Sequence, residues 1–280
     1  MAIKIITDSA SDITLKEMSV KNVELVPLTV QCGEDIYVDD KTIPMEMFWK
    51  MLLDGISVKT SLPSPNEFLK VFEAAKQTGD EVICILVSSK LSGTYQSAML
   101  AKEICDYDKI YIIDSKTAAA AEKLQVFEAC SMRDKGTCAK EIAAHAEQFK
   151  ERVRLIACLD TLEYLTKGGR LSATAANIGT FLKLKPIISI EKSGEIKVVK
   201  KSRGANRAMC DMTDLILSSD ISKEQTPIPL YAYNSDNCQA FIDKLNQSSL
   251  SCMLEMPEGI GATIGTYIGP GAYGIAYVEK

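Results

Sequence analysis

Short apolar runs rich in β-branched residues recur along the chain, at 3–7 (IKIIT), 82–87 (VICILV), 109–114, 153–159, 186–190 (PIISI), 228–233 and 274–278. Runs of this length read as strands, and amphipathic stretches with helical spacing lie between most of them, so the chain reads as α/β. The first three have the look of buried parallel strands. One helix carries its own start signal: Ser64 as N-cap, Pro65 as first residue and Glu67 three after the cap, with Phe68, Phe72 and Ala75, joined by Leu69, on one face. After residue 152 the pattern changes. EKSGEIKVV reads as a hairpin turning at Ser193 and Gly194, and a loop-rich stretch precedes the last strand. Two domains are expected: a parallel α/β domain over 1–152 and an α/β domain with a mixed sheet over 153–280.

A chain of 280 residues with 46% hydrophobic content can bury one large core or two ordinary ones. Its net charge of −5, from 37 acidic and 32 basic residues, argues against a polyanion-binding surface over the whole molecule, so nucleic acid is not an expected partner. Nine cysteines are scattered without a CxxC, and several sit inside apolar runs, which points to reduced thiols in a reducing cytosol and not to a disulfide or zinc framework. The chain begins directly with a strand-like IKIITDS, lacks leader features, and has no uncharged apolar run long enough to cross a bilayer. A soluble cytoplasmic protein is expected.

Polar clusters follow the early strands: TDSASD (7–12), SSKLSGTYQS (88–97) and DSKT (114–117). In parallel α/β sheets the carboxyl ends of strands are where ligands bind. Ser92, Gly93 and Thr94 stand where the next helix begins, with Ala98, Ala101 and Ile104 continuing its face, and offer backbone N–H groups and hydroxyls to an anion. A plain N-cap role for Ser92 is the simpler alternative. A second hydroxyl pair, Thr60 and Ser61, precedes the capped helix. The KGGR turn (167–170) projects Arg170, and Lys200, Lys201, Arg203 and Arg207 form a local cationic segment, either a solvated face or a docking and phosphate-steering surface.

Several chemistries find no support. The tail GIGATIGTYIGPGAYG (259–274) ends too close to residue 280 for a dinucleotide fold, and GxxxxGK[ST] and GxSxG are absent. The single histidine, His145, lies on the edge of an Ile142, Ala146, Phe149 helical stripe, far from a strand end, which argues against a histidine base or a histidine-based metal site. No cofactor is expected.

ITDSASDI, TSLPSPNEF, SSKLSGTYQSA, DTLEYLTKGGRLS, LKLKPIISIEKSGEI and IGTYIGPGAYGIAY, in this order and over almost the whole chain, resemble the successive motifs of the DegV family. The resemblance implies a two-domain α/β fold with a fatty acid in the cleft between the domains. It also implies the work of a FakB-type subunit: presenting the fatty acid to an ATP-dependent kinase subunit that makes an acyl phosphate for phospholipid synthesis, with no catalytic site of its own. By motif, Thr60, Ser61, Ser92, Gly93, Thr94 and Tyr267 would bind the carboxylate, and Arg170 and Arg203 would contact the kinase or steer phosphate. The alternatives are a lipid sensor, a carrier for another apolar carboxylic acid without a kinase, or a hydrolase. Two departures from the family pattern touch the expected ligand region. Gly265, Thr266, Tyr267 stand where a GTH-type motif has histidine, and a tyrosine donates a hydrogen bond without supplying a cation. DSKTAAAAEKLQ (114–125) stands where glycines and a serine are common.

Overall fold

The computed structural model describes residues 2–171, 184–248 and 254–280. Ser172, Leu182, Lys183 and Cys252, which belong to motifs and counts above, lie outside the described residues. The first half of the chain runs β1 (Ile3–Asp8), α1 (Leu15–Lys21), β2 (Val23–Val26), β3 (Thr29–Cys32), β4 (Asp35–Val38), α2 (Met45–Leu53), β5 (Val58–Ser61), α3 (Pro65–Thr78), β6 (Glu81–Leu86), α4 (Thr94–Cys105), β7 (Ile110–Asp114), α5 (Ala120–Asp134) and α6 (Ala139–Phe149). The second runs β8 (Val153–Cys158), α7 (Glu163–Lys167), β9 (Leu184–Ile190), β10 (Ile196–Arg203), α8 (Ala205–Leu217), β11 (Ile228–Tyr231), α9 (Asp236–Leu245), β12 (Glu258–Gly259), α10 (Ala262–Ile268) and β13 (Tyr273–Val278).

Three sheets result. The first is parallel throughout, in the order β2-β1-β6-β7. Its strands are apolar on both faces because both faces are covered. Ile5, Ile83 and Ile85 meet Val126 and Ala129 of α5 and Ile142 of α6, while Ile6, Cys84 and Leu86 meet Phe68, Phe72 and Ala75 of α3 and Ala98 and Ala101 of α4. The second sheet, β10-β9-β8-β13-β11-β12, is mixed, antiparallel except where β11 pairs β12. This is the expected α/β architecture, a parallel sheet followed by a mixed one. A third, antiparallel sheet of β4-β3-β5, with strands of four residues each, was not expected from the pattern of apolar runs.

Local signals explain several elements. Helix α3 starts as predicted: the Ser64 and Glu67 side chains form a reciprocal capping box, and Gly79, in the left-handed region, ends it. The hairpin turns at Ser193 and Gly194, with Ile190 opposite Ile196. On α4 the N-cap is Gly93, not Ser92, and Ile104 is exposed. Each step of three residues falls 60° short of a full turn, so by Ile104 the stripe begun at Ala98 has rotated away and Cys105 takes the buried place. The glycine-rich tail, read above as loop, contains α10.

The second sheet divides its faces unequally. Helices α8 and α9 cover one face, packing Met212, Ile216 and Phe241 on Ile156, Ile187 and Ile275. The opposite face, with Leu155, Leu230, Ala276 and Val278, is turned toward the start of α5 at Ala119, Ala120 and Leu124. Helix α5 thus serves both sheets, and its residues from Ala120 to Val126 are all buried.

Phe72 is fully buried between β6 and α4. Phe72→Ala is therefore expected to cost about 3–5 kcal/mol of stability, read as a lowered denaturant midpoint at unchanged slope.

Candidate lipid-binding site

Between the uncovered face of the second sheet and the first half of the chain lies a pocket of about 900 Å³ of atom-free space, part of it open to solvent. Its deep wall is apolar: Ala119, Leu230, Ile260 and Ala272 are each less than a tenth exposed. Ile188, Ile190 and Ile196, from the two arms of the hairpin, form another side. Among the described residues, Arg170 is the only charged group in the lining.

The lining includes Ser189, Thr263 and Tyr273, and at one end it carries a half-buried polar cluster of Thr60, Ser92, Arg170 and Tyr267. Each arrives on a different element. Thr60 and Ser61 are consecutive on β5, so their side chains point to opposite faces; Thr60 faces the pocket and Ser61 is exposed. Ser92 lies in the loop after β6, one residue before the α4 N-cap, with its hydroxyl 2.8 Å from that of the buried Thr94. Gly93 has Leu62 against it, at 3.0 Å from where a Cβ would be. Arg170 follows α7 through Gly169, which has φ +73° and so takes the left-handed conformation that lets the chain turn sharply. Arg203 is exposed at the end of β10 and does not line the pocket.

Tyr267, on α10, ties the two halves together. Its hydroxyl is 2.6 Å from that of Thr60, and its ring lies under the Arg170 guanidinium at 4.3 Å to the ring centroid. Arg170 itself is held by donating to the Leu91 carbonyl (3.0 Å) and the Gly168 carbonyl (2.7 Å). The ring has room only because residue 168 is glycine: a Cβ there would stand 2.4 Å from Tyr267 Cδ1. At its other contacts α10 is equally close-fitting, since a Cβ on Gly265 would meet Trp49 and Phe48 at 2.7 and 2.9 Å. The polar end therefore offers a carboxylate two hydroxyl groups, a phenol and a guanidinium, with no histidine among the lining residues.

The departure at 114–125 also meets the pocket. Ala118 and Ala119 line it with methyl groups, and Lys116 and Ala119 have φ of 56° and 55°, a conformation in which glycine is at home. Sequence reasoning placed 114–125 in the ligand region but missed Ile264 and Ile268 of α10, which stand in a glycine-rich context. The signal present was the spacing of Ala262, Thr263 and Thr266, all buried on α10. His145 lies outside the lining, stacked on Phe149 and 3.2 Å from Glu128. Among the described residues no group of three or more His, Cys, Asp or Glu is placed to hold a metal, the cysteines are free thiols, and no helix is long and apolar enough to cross a membrane.

The family model for "Uncharacterised protein, DegV family" matches residues 2–280. The chain belongs to the DegV family. A curated DegV domain-containing protein of Caldanaerobacter subterraneus subsp. tengcongensis is 35% identical over 278 residues, 99% of each chain. Two solved structures superpose over the whole of both chains at 28% identity: the fatty-acid-binding DegV family protein from Thermus thermophilus, with a TM-score of 0.88, and DegV, a fatty acid binding protein from Bacillus subtilis, with a TM-score of 0.86. The DegV resemblance read from the motifs and the α/β fold with a parallel and a mixed sheet are both shown.

Beside the pocket, this DegV protein buries an acid cluster at the carboxyl end of β1. Burial pushes Asp8 and Asp12 up to about 6, against hydrogen bonds from backbone N–H groups and the nearby Lys41 that pull them down, and burial with the neighbouring Asp8 charge raises Glu122 well above the usual range. Groups whose pKa is higher folded than unfolded stabilise the fold below the unfolded value and lose that contribution as pH rises through the folded one. Thermal unfolding is accordingly expected at higher temperature at pH 5.5 than at pH 7.5. Glu122→Gln should flatten that dependence; an equally steep profile in the variant would assign it to other groups.

Proposed function

We propose that this protein binds a long-chain fatty acid, with the acyl chain in the apolar pocket and the carboxylate at the Thr60, Ser92, Arg170 and Tyr267 end, with the Gly93 and Thr94 amides nearby. The observation that carries the reading is the make-up of the pocket: mostly apolar walls, and a half-buried cluster of Thr60, Ser92, Arg170 and Tyr267 that holds the only charge among the described lining residues. The whole-length likeness to fatty-acid-binding DegV proteins supports it.

The two parts of such a ligand contribute differently. Burying a saturated chain of about sixteen carbons contributes on the order of 10 kcal/mol as an upper value. A hydroxyl bonded to a carboxylate adds roughly 1.5–3 kcal/mol. Chain burial supplies affinity, and the polar end fixes which way round the molecule sits. With its head at the half-buried end, the carboxylate would be within reach of a second protein. In this reading the protein is a cytoplasmic carrier without its own catalytic group or cofactor, which presents the carboxylate to an ATP-dependent kinase subunit for acyl phosphate formation. Arg170 would face the forming phosphate, and the exposed Arg203, outside the pocket, would contact the kinase.

Denaturing mass spectrometry of purified protein tests the binding step: a stoichiometric fatty acid mass is expected, and protein that stays ligand-free with added fatty acid would sink the reading. Ser92→Ala should weaken fatty acid binding by about tenfold to a hundredfold with the fold intact. Unchanged affinity in a folded variant would remove Ser92 from the site.

A further inference from the structure

The Tyr267 contact depends on where α10 sits, and α10 cannot fix its own position. It has seven residues, among them Gly265, and a helix of that length is held by tertiary partners and not by its own hydrogen bonds. Its first turn is held by residues of the first half of the chain. Asp39, just after β4 and 2% exposed, accepts at Oδ2 from both the backbone N–H of Thr263 (3.2 Å) and its hydroxyl (2.5 Å). Asp12 Oδ1 accepts from the Gly261 N–H at 3.0 Å. Lys41 Nζ stands 3.8 Å from Asp12 and 4.0 Å from Asp39, and donates to the Ser9 carbonyl at 2.7 Å. The Asp39 backbone is itself fixed, donating to the Leu28 carbonyl (2.8 Å) and accepting from the Ser9 hydroxyl (2.7 Å).

Thr263 lies four residues before Tyr267, on the same side of the helix one turn away. A displacement of α10 by about 1 Å would carry the Tyr267 hydroxyl beyond hydrogen-bond reach of Thr60. Asp39 itself does not line the pocket.

We propose that Asp39 is a positioning residue: through Thr263 it sets α10 so that Tyr267 meets Thr60, and by this it sets the preference of the pocket for a carboxylic acid over an uncharged lipid of the same length. The inference rests on the fatty-acid reading for its ligand and on geometry alone for the position of Tyr267.

Full-length protein and its Asp39→Ala, Thr263→Val, Tyr267→Phe and Asp39→Ala/Tyr267→Phe variants are compared for affinity to hexadecanoic acid and hexadecan-1-ol. The Cζ signal of Tyr267, assigned by its loss in Tyr267→Phe, is followed by NMR in ligand-free protein. Asp39→Ala and Thr263→Val should each shift that signal and lower the acid-over-alcohol ratio by about tenfold, the worth of one lost bond to a carboxylate, and the double variant should fall no further than Tyr267→Phe alone. An unmoved Tyr267 signal, equal weakening of acid and alcohol, or additive losses would overturn the proposal. Should Asp39→Ala not fold, Thr263→Val carries the positioning test through the Tyr267 signal, because it exchanges the hydroxyl that bonds Asp39 for a methyl while Thr263 itself lines the pocket. Wild-type protein that prefers neither probe would overturn the fatty-acid reading and the selectivity role with it, while the Tyr267 signal still decides the positioning role.

Discussion

A six-stranded sheet with helices on one face must bury its other face against something, and here that cover is the first half of the chain. Helix α5 supplies part of it by packing on both sheets at once, which is why its first two turns are buried all round. The three-stranded sheet and α2 supply more, bringing Val30, Phe48 and Trp49 against residues of the second half. The cover is incomplete, and the gap it leaves is the pocket. Its apolar walls are what two cores would otherwise have pressed together, and its polar end is where β5, the loop after β6, the turn after α7 and α10 converge.

How much of this was legible in the sequence follows from where each element draws its stability. Strands β1, β6 and β7 are continuous apolar runs, and α3 carries a capping box, so their signals are local and survive without the fold. The four-residue strands β3, β4 and β5 have no such signal, being formed by pairing with one another and by packing on α2 and α10. Helix α10 was hidden by its glycines, which are there because the rings of Phe48 and Trp49 press on Gly265 and the ring of Tyr164 approaches Gly269. At the pocket, motif likeness singled out Thr60, Ser92, Arg170 and Tyr267, and these four come together. Ser61 and Arg203 do not join them, the first because neighbours on a strand face opposite ways. Asp12 was legible as part of the TDSASD cluster, but its partner was not, and Asp39 gave no signal, since Gly261 and Thr263 lie more than two hundred residues away in the sequence.

The electrostatics of the pocket end are those of a neutral cradle with one fixed cation. Arg170 supplies the guanidinium, and Thr60 and Ser92 carry no charge to lose. The carboxyl groups that burial pushes up, Asp8, Asp12 and Glu122, lie outside the lining, and Asp12 also accepts from the Gly261 N–H at the start of α10.

A mostly apolar pocket between two cores is also a packing defect, since its lining atoms lack partners on one side. Whatever molecule occupies it restores those contacts in the folded chain alone, so occupancy and folding are linked by mass action, with a gain of RT ln(1 + [L]/Kd). The lifetime of the protein against proteolysis then rises and falls with the supply of its ligand. A pocket between two cores thus makes the folded fraction of the chain depend on whatever fills it.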